Sequence, residues 1–149
     1  MSSSATEQSK ESIAVLIRSA LHPDKILLVL RPEDDPELPA IWGLPAVSLR
    51  PGESDDEALK RLAKTKLGCE LADLRFRCAG SQQRLNYRLS MRLYEASLYT
   101  NPQLPATSTE PVTLYRAWRW GRIEELSESA QRGSLCSQLA LQSYAADAA

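Results

Sequence analysis

The chain is short of the residues that usually announce chemistry. It holds one histidine and three cysteines in 149 residues. The lone His22 follows a strand in a His-Pro-Asp turn, a setting that explains it without a catalytic role. Cys69, Cys78 and Cys136 are too few and too widely spaced for a zinc ribbon or a redox Cys-x-x-Cys pair, and their odd number argues against a disulfide framework. Buried, inert thiols are the expectation. No stretch of about 18 apolar residues occurs and the Ser-rich N-terminus lacks an apolar signal core, so a membrane span is not expected and a cytoplasmic location is. A charge excess is missing too. The formal net charge is -1, which gives no global reason for nucleic-acid or anionic-membrane binding, so any anion site must be local.

What remains is the composition of one ordinary domain, with enough apolar material to form a core unaided. Residues 1–10 lack apolar periodicity and are expected to be a disordered tail, leaving 11–149 as a single domain. Residues 12–18 read as a first strand. After a turn at His22-Pro23-Asp24, the continuous apolar run Ile26 to Leu30 suits a strand covered on both faces. Residues 41–44 form a short extended piece ended by Pro45. Ser54 then opens a helix, because Ser-Asp-Asp-Glu has the spacing by which Ser54 and Glu57 satisfy free backbone N–H groups reciprocally. Ala58, Leu59, Leu62, Ala63 and Leu67 form its apolar stripe, and Gly68 sits where a left-handed cap would end it. Residues 74–82 and 87–98 read as strands around a turn at Arg84-Leu85-Asn86; Tyr87, Leu89, Met91 and Leu93 alternate with polar neighbours. A Pro/Thr/Ser-rich loop precedes a strand over 112–120, and a last helix spans 133–146 with Leu135, Leu139 and Ala140 inward. This order predicts an α/β fold with a mixed sheet and helices on both faces.

The most informative stretch runs from Trp42-Gly43-Leu44-Pro45-Ala46-Val47-Ser48-Leu49-Arg50-Pro51-Gly52-Glu53-Ser54 to Gly68. It resembles the signature segment of the Nudix hydrolases, whose pattern is Gly, five residues, Glu, seven residues, Arg-Glu, an aliphatic residue, any residue, Glu-Glu, any residue, Gly. Glu53, Arg61 and Gly68 match the pattern's first Glu, its Arg and its last Gly. Its first Gly falls on Val47, and the three metal-binding Glu positions of the helix fall on Leu62, Thr65 and Lys66. The box is degenerate. The resemblance implies a Nudix-type α/β/α sandwich with a mixed central sheet, a ligand that is a nucleotide or nucleotide-sugar, and homodimers as a common assembly. It also implies Mg or Mn as cofactor if the chain is active, and none if it is not.

Each candidate has a functional and a bland reading. Glu53 is the best candidate for catalysis or a metal, and Arg61 is its expected partner; Glu53 is otherwise a loop carboxylate before a helix N-terminus. Glu57 is a weaker metal candidate, since the cap explains it. Glu110 lies in the loop from which some family members supply a further carboxylate. Lys66, with Lys64, Arg61 and Arg50 nearby, could hold a phosphate directly, or could belong to a solvated basic helix face. Arg84, Arg88, Arg92 and Trp118 are candidates for lining a ligand cleft, because guanidinium and indole stack on bases. Trp42 is expected to anchor its loop by packing. The reading is therefore of a divergent Nudix-like protein that binds a nucleoside diphosphate derivative, its metal-dependent pyrophosphohydrolase activity weak, altered or absent. The alternative is a non-catalytic nucleotide-sensing or protein-interaction module.

Overall fold

The computed structural model describes residues 8–108 and 113–148. Strand β1 (Gln8–Ser19) lies at the centre, because its residues from Ile13 to Ile17 are wholly apolar and fully buried on both sides. It runs parallel to β6 (Tyr87–Leu98) over its entire length and antiparallel to β2 (Ile26–Leu30). The main path is β3 (Trp42–Gly43), β2, β1, β6, β5 (Ala72–Gln83), with β4 (Ala46–Ser48) added to β1 and β7 (Ala117–Gly121) to β2. The sheet is mixed, as expected.

Alternation along β1 divides the core in two. Ala14 and Leu16 point to a cluster with Leu89, Met91, Leu93, Leu135 and Leu139, under helix α3 (Leu135–Ala148). Ile13, Val15 and Ile17 point the other way, to Leu59, Leu62 and Leu67 of the segment containing helix α1 (Asp55–Leu62). Helices thus cover opposite faces of one sheet. A short 3-10 turn (Ile123–Leu126) and helix α2 (Ser127–Gln131), neither foreseen, lead into α3. Among the described residues no helix is long and apolar enough to cross a membrane.

Several expected boundaries move. Residues 8–10, assigned to the tail, belong to β1: Gln8, Ser9 and Lys10 pair with Tyr87, Arg88 and Leu89 of β6. Backbone pairing needs no apolar side chains, so periodicity missed it. Ala46–Ser48, beyond the Pro45 at which the extended piece was expected to end, pairs with Ser12 to Ala14. The last strand is shorter than expected; β7 starts at Ala117, and Val112 lies outside the described residues. The final helix starts at Leu135, after Gly133 at φ 102°. The three cysteines are free thiols, and burial pushes Cys69 up to about 11.

Candidate functional site

The site begins in the turn before α1. Arg50-Pro51-Gly52-Glu53 closes with Glu53 N donating to the Arg50 carbonyl at 3.0 Å, and Gly52 at φ 76° supplies the left-handed residue that a Pro-Gly turn of this kind requires. The turn brings the Glu53 carboxylate back over its own start, where it accepts from Arg50 N at 2.9 Å. Helix α1 begins directly afterwards. Ser54 Oγ accepts from Glu57 N at 3.1 Å and Glu57 Oε1 accepts from Ser54 N at 2.9 Å, so the reciprocal cap is formed.

Two turns along, Arg61 reaches back and grips Glu53 in a fork, Nε to Oε2 and Nη2 to Oε1, both at 2.9 Å. Its Nη2 also donates to the Ser48 carbonyl at 2.7 Å. Loop, strand end and helix are clamped together by one guanidinium. The Arg61 hydrogen bonds, helped by Arg50 N, hold the Glu53 carboxyl down at about 2. Each side chain of the pair keeps only 10% of its surface exposed.

Beyond Leu62 the helix changes character. Ala63–Leu67 is a π turn, closed by Gly68 at φ 60° with Gly68 N on the Ala63 carbonyl. Such wide turns are rare and recur at functional sites. Leu62 is fully buried in the core. Thr65 Oγ1 donates to the Arg61 carbonyl at 2.6 Å. Lys64 is exposed, as a solvated basic face would be, but Lys66 is not: only 5% of it is exposed. Its Nζ donates to the Ala46 carbonyl at 2.7 Å and lies 4.5 Å from the centre of the Tyr115 ring. Tyr115 is itself fixed, since its hydroxyl accepts from Ala46 N at 2.9 Å and donates to Ala46 O at 3.2 Å.

Lys66 and Arg61 line a cleft of about 480 Å³. Lys10, Arg31, Arg50 and Arg84 line it too, against two carboxylates, Asp35 and Glu37. Arg31 pairs with Asp35 at 2.9 Å and Arg84 with Glu37 at 2.8 Å, while Lys10 Nζ stands 5.0 Å from the centre of the Tyr87 ring. Arg84 Nε is buried without a partner. Leu89, Met91 and Leu135 contribute apolar surface. The cleft is therefore cationic in a protein whose total charge is nearly zero.

The residues present do not fit a divalent cation. A hard ion needs several oxygen ligands, and the helix positions that would provide them hold a buried alkyl group, a hydroxyl engaged with the backbone, and an ammonium. The Glu53 oxygens are held by Arg61 and Arg50 N, and Glu57 is engaged in the cap. No three His, Cys, Asp or Glu side chains converge on a possible metal position among the described residues. Glu110 lies outside them.

Of the other candidates, Arg84 reaches the cleft, whereas Arg88, Arg92 and Trp118 do not. Arg92 lies on the α1 side of β6, where its guanidinium takes both oxygens of Asp55 at 2.7 and 2.8 Å and also pairs with Glu11. Pairing with Arg92 lowers the Asp55 carboxyl. Arg88 donates to Ser81 Oγ, and Trp118 packs on the second core cluster and edge-on to Trp120. Trp42 packs against the first cluster beneath the Arg119 guanidinium, so it is a packing residue. Lys10, Arg31 and Tyr115 were not foreseen. Nothing local marks them, because they meet only through the pairing of distant segments.

No protein-family model matches the chain, and no curated protein matches it in sequence. Solved structures do match it in shape. A MutT Nudix hydrolase from Burkholderia pseudomallei aligns over 92% of this chain and 98% of its own, with a TM-score of 0.70 at 22% identity. The Nudix domain of Shewanella oneidensis NrtR, solved with ADP ribose, aligns over 97% and 92%, with a TM-score of 0.69 at 16% identity. An Ap4A hydrolase from Caenorhabditis elegans (C. elegans) aligns over 92% and 96%, with a TM-score of 0.66 at 19% identity. The fold is that of the Nudix hydrolases.

Proposed function

We propose that this chain binds a nucleoside diphosphate derivative in its cationic cleft and does not hydrolyse it by a metal-dependent route. One observation carries the reading: the cleft beside the Nudix loop is lined by six cationic side chains, while the helix Glu positions of the motif are replaced and the described candidates Glu53 and Glu57 are engaged. Clustered guanidinium and ammonium groups suit the dense charge of a diphosphate. A cleft of about 480 Å³ falls within the range that accommodates a small ligand. Its apolar side, at Leu89, Met91 and Leu135, offers a surface for a base or another uncharged portion. The neighbours solved with ADP ribose or named for Ap4A point to the same ligand class.

Diphosphate hydrolysis needs charge neutralised on the bridging oxygens and a water positioned in line. Fixed cations contribute to the first requirement. The second needs a free base, and Glu53, held by Arg61 and lowered to about 2, is a poor one.

The test is a thermal-shift and phosphate-release screen over ADP-ribose, Ap4A, nucleoside triphosphates and sugar nucleotides, with and without manganese. Stabilisation without turnover is expected, and a ligand at about 100 times its Kd adds about 2.7 kcal/mol. Manganese-dependent turnover that disappears in Glu53→Gln would overturn the proposal, as would the lack of any stabilising nucleotide.

A further inference from the structure

We propose that the Lys66 ammonium is the anion-holding group of this cleft and stands where a divalent cation would otherwise be needed, so that a diphosphate binds here without metal. The inference rests on the cleft being a ligand site, and deepens that reading by naming the group that holds the charge.

Lys66 carries an electrostatic deficit. Buried charges in proteins are as a rule paired, because an ion out of water loses its solvation and must recover it from neighbours. Lys66 is buried, and among the described residues its polar contacts are one carbonyl, Ala46 O, and one ring face, Tyr115. No described carboxylate pairs with it. An ammonium has three donors. The carbonyl takes one and the ring faces another, and neither partner brings a negative charge. The deficit opens onto the cleft that Lys66 lines.

The second point is preorganisation. The Tyr115 hydroxyl is tied to both N and O of Ala46, and Ala46 is fixed by its pairing with Ala14 in β1. Ammonium, ring and carbonyl therefore form a rigid set before any ligand arrives, and little ordering is left for binding to do. The π turn belongs to the same construction, since it carries Lys66 inward while Lys64 stays in solvent.

A protein with no use for this charge would be better served by an apolar side chain, since replacing a buried ion with a hydrophobic group of similar volume is often neutral or stabilising. Lys66→Met should thus leave the melting temperature of the ligand-free protein unchanged or raise it, while weakening anion binding. A merely structural lysine would move the two together.

The experiment is calorimetric titration of the full chain with inorganic pyrophosphate in EDTA. Wild type is expected to bind, Lys66→Met to lose affinity by about tenfold or more, as for one lost charged hydrogen bond, and Lys64→Met to stay within about twofold, as for a solvated surface charge. Equal affinity in Lys66→Met and wild type overturns the inference. So does wild-type binding that is absent in EDTA, a result that requires no variant to fold. The two proposals fail separately: a protein that binds pyrophosphate through Lys66 but no nucleotide loses the nucleotide reading alone. One that binds ADP-ribose equally well in Lys66→Met and wild type loses the Lys66 inference alone.

Discussion

The two halves of one continuous helical run, α1 from Asp55 to Leu62 and the π turn from Ala63 to Leu67, follow opposite rules. The first half makes its cap and its fork locally. Ser54 and Glu57 cap each other, Arg61 grips Glu53 from eight residues along, and every charge in the Glu53–Arg61 fork is answered; Asp55 of the first turn is taken from further off, by Arg92. The second half is completed from elsewhere, by Gln103 N on the Leu67 carbonyl, and by Ala46 and Tyr115 around Lys66. The lesson is that a signature segment can keep its scaffold and exchange its chemistry, because the two are built by different neighbours.

The largest expected effect breaks the second half. A methyl group on Gly68 would lie 2.0 Å from the Gln103 carbonyl oxygen, at a residue already left-handed. Gly68→Ala should cost about 4 kcal/mol in urea denaturation, combining backbone strain with forced displacement of the facing loop. A loss below about 1 kcal/mol would mean that the π turn is less rigidly closed than its contacts imply.

The next effect breaks the first half. Arg61→Ala leaves the nearly buried Glu53 carboxylate without its fork and should cost about 3 kcal/mol. The pH profile sharpens the point. Glu53 titrates at about 2 instead of 4.5. Its carboxylate therefore contributes stability that is complete above about pH 5 and fades as the pH falls towards 2. Wild type should exceed Glu53→Gln in stability at pH 7, and the gap should close across that acid window. A constant gap would show that the fork acts by shape rather than charge.

Smaller effects grade the comparison. Ser54→Ala removes one side of the reciprocal cap and should cost about 1 kcal/mol, seen as a lower denaturation midpoint at unchanged slope. Thr65→Val removes only a hydroxyl bond to the Arg61 carbonyl, and a loss of about 0.5 kcal/mol is expected. If Thr65→Val costs more than Ser54→Ala, the π turn rather than the cap holds the helix in place.

The legible parts of the molecule are those with short-range causes. The apolar stripe from Ala58 to Leu67, the Gly68 cap and the alternation along β6 could be read directly, and all those stripe residues are buried as the spacing requires. The Glu53–Arg61 pair was legible from the motif's frame. Arg92 and Trp118 illustrate the opposite case. Their residue types suit a ligand, but whether they meet one depends on which face of the sheet they occupy and on whether an Asp55 or a Trp120 is already there.

The sequence by itself determined the order of the longer strands and helices, the capped helix and the frame of a Nudix-like loop, since these follow from periodicity and from partners a few residues away. Only the tertiary structure decided that Lys66 lies buried against Ala46 and Tyr115, and that Lys10, Arg31 and Arg84 share its cleft. Burial and electrostatic pairing are set by whatever the folded chain brings within a few ångströms, and for Lys66 those groups lie on segments that meet only once the sheet has formed.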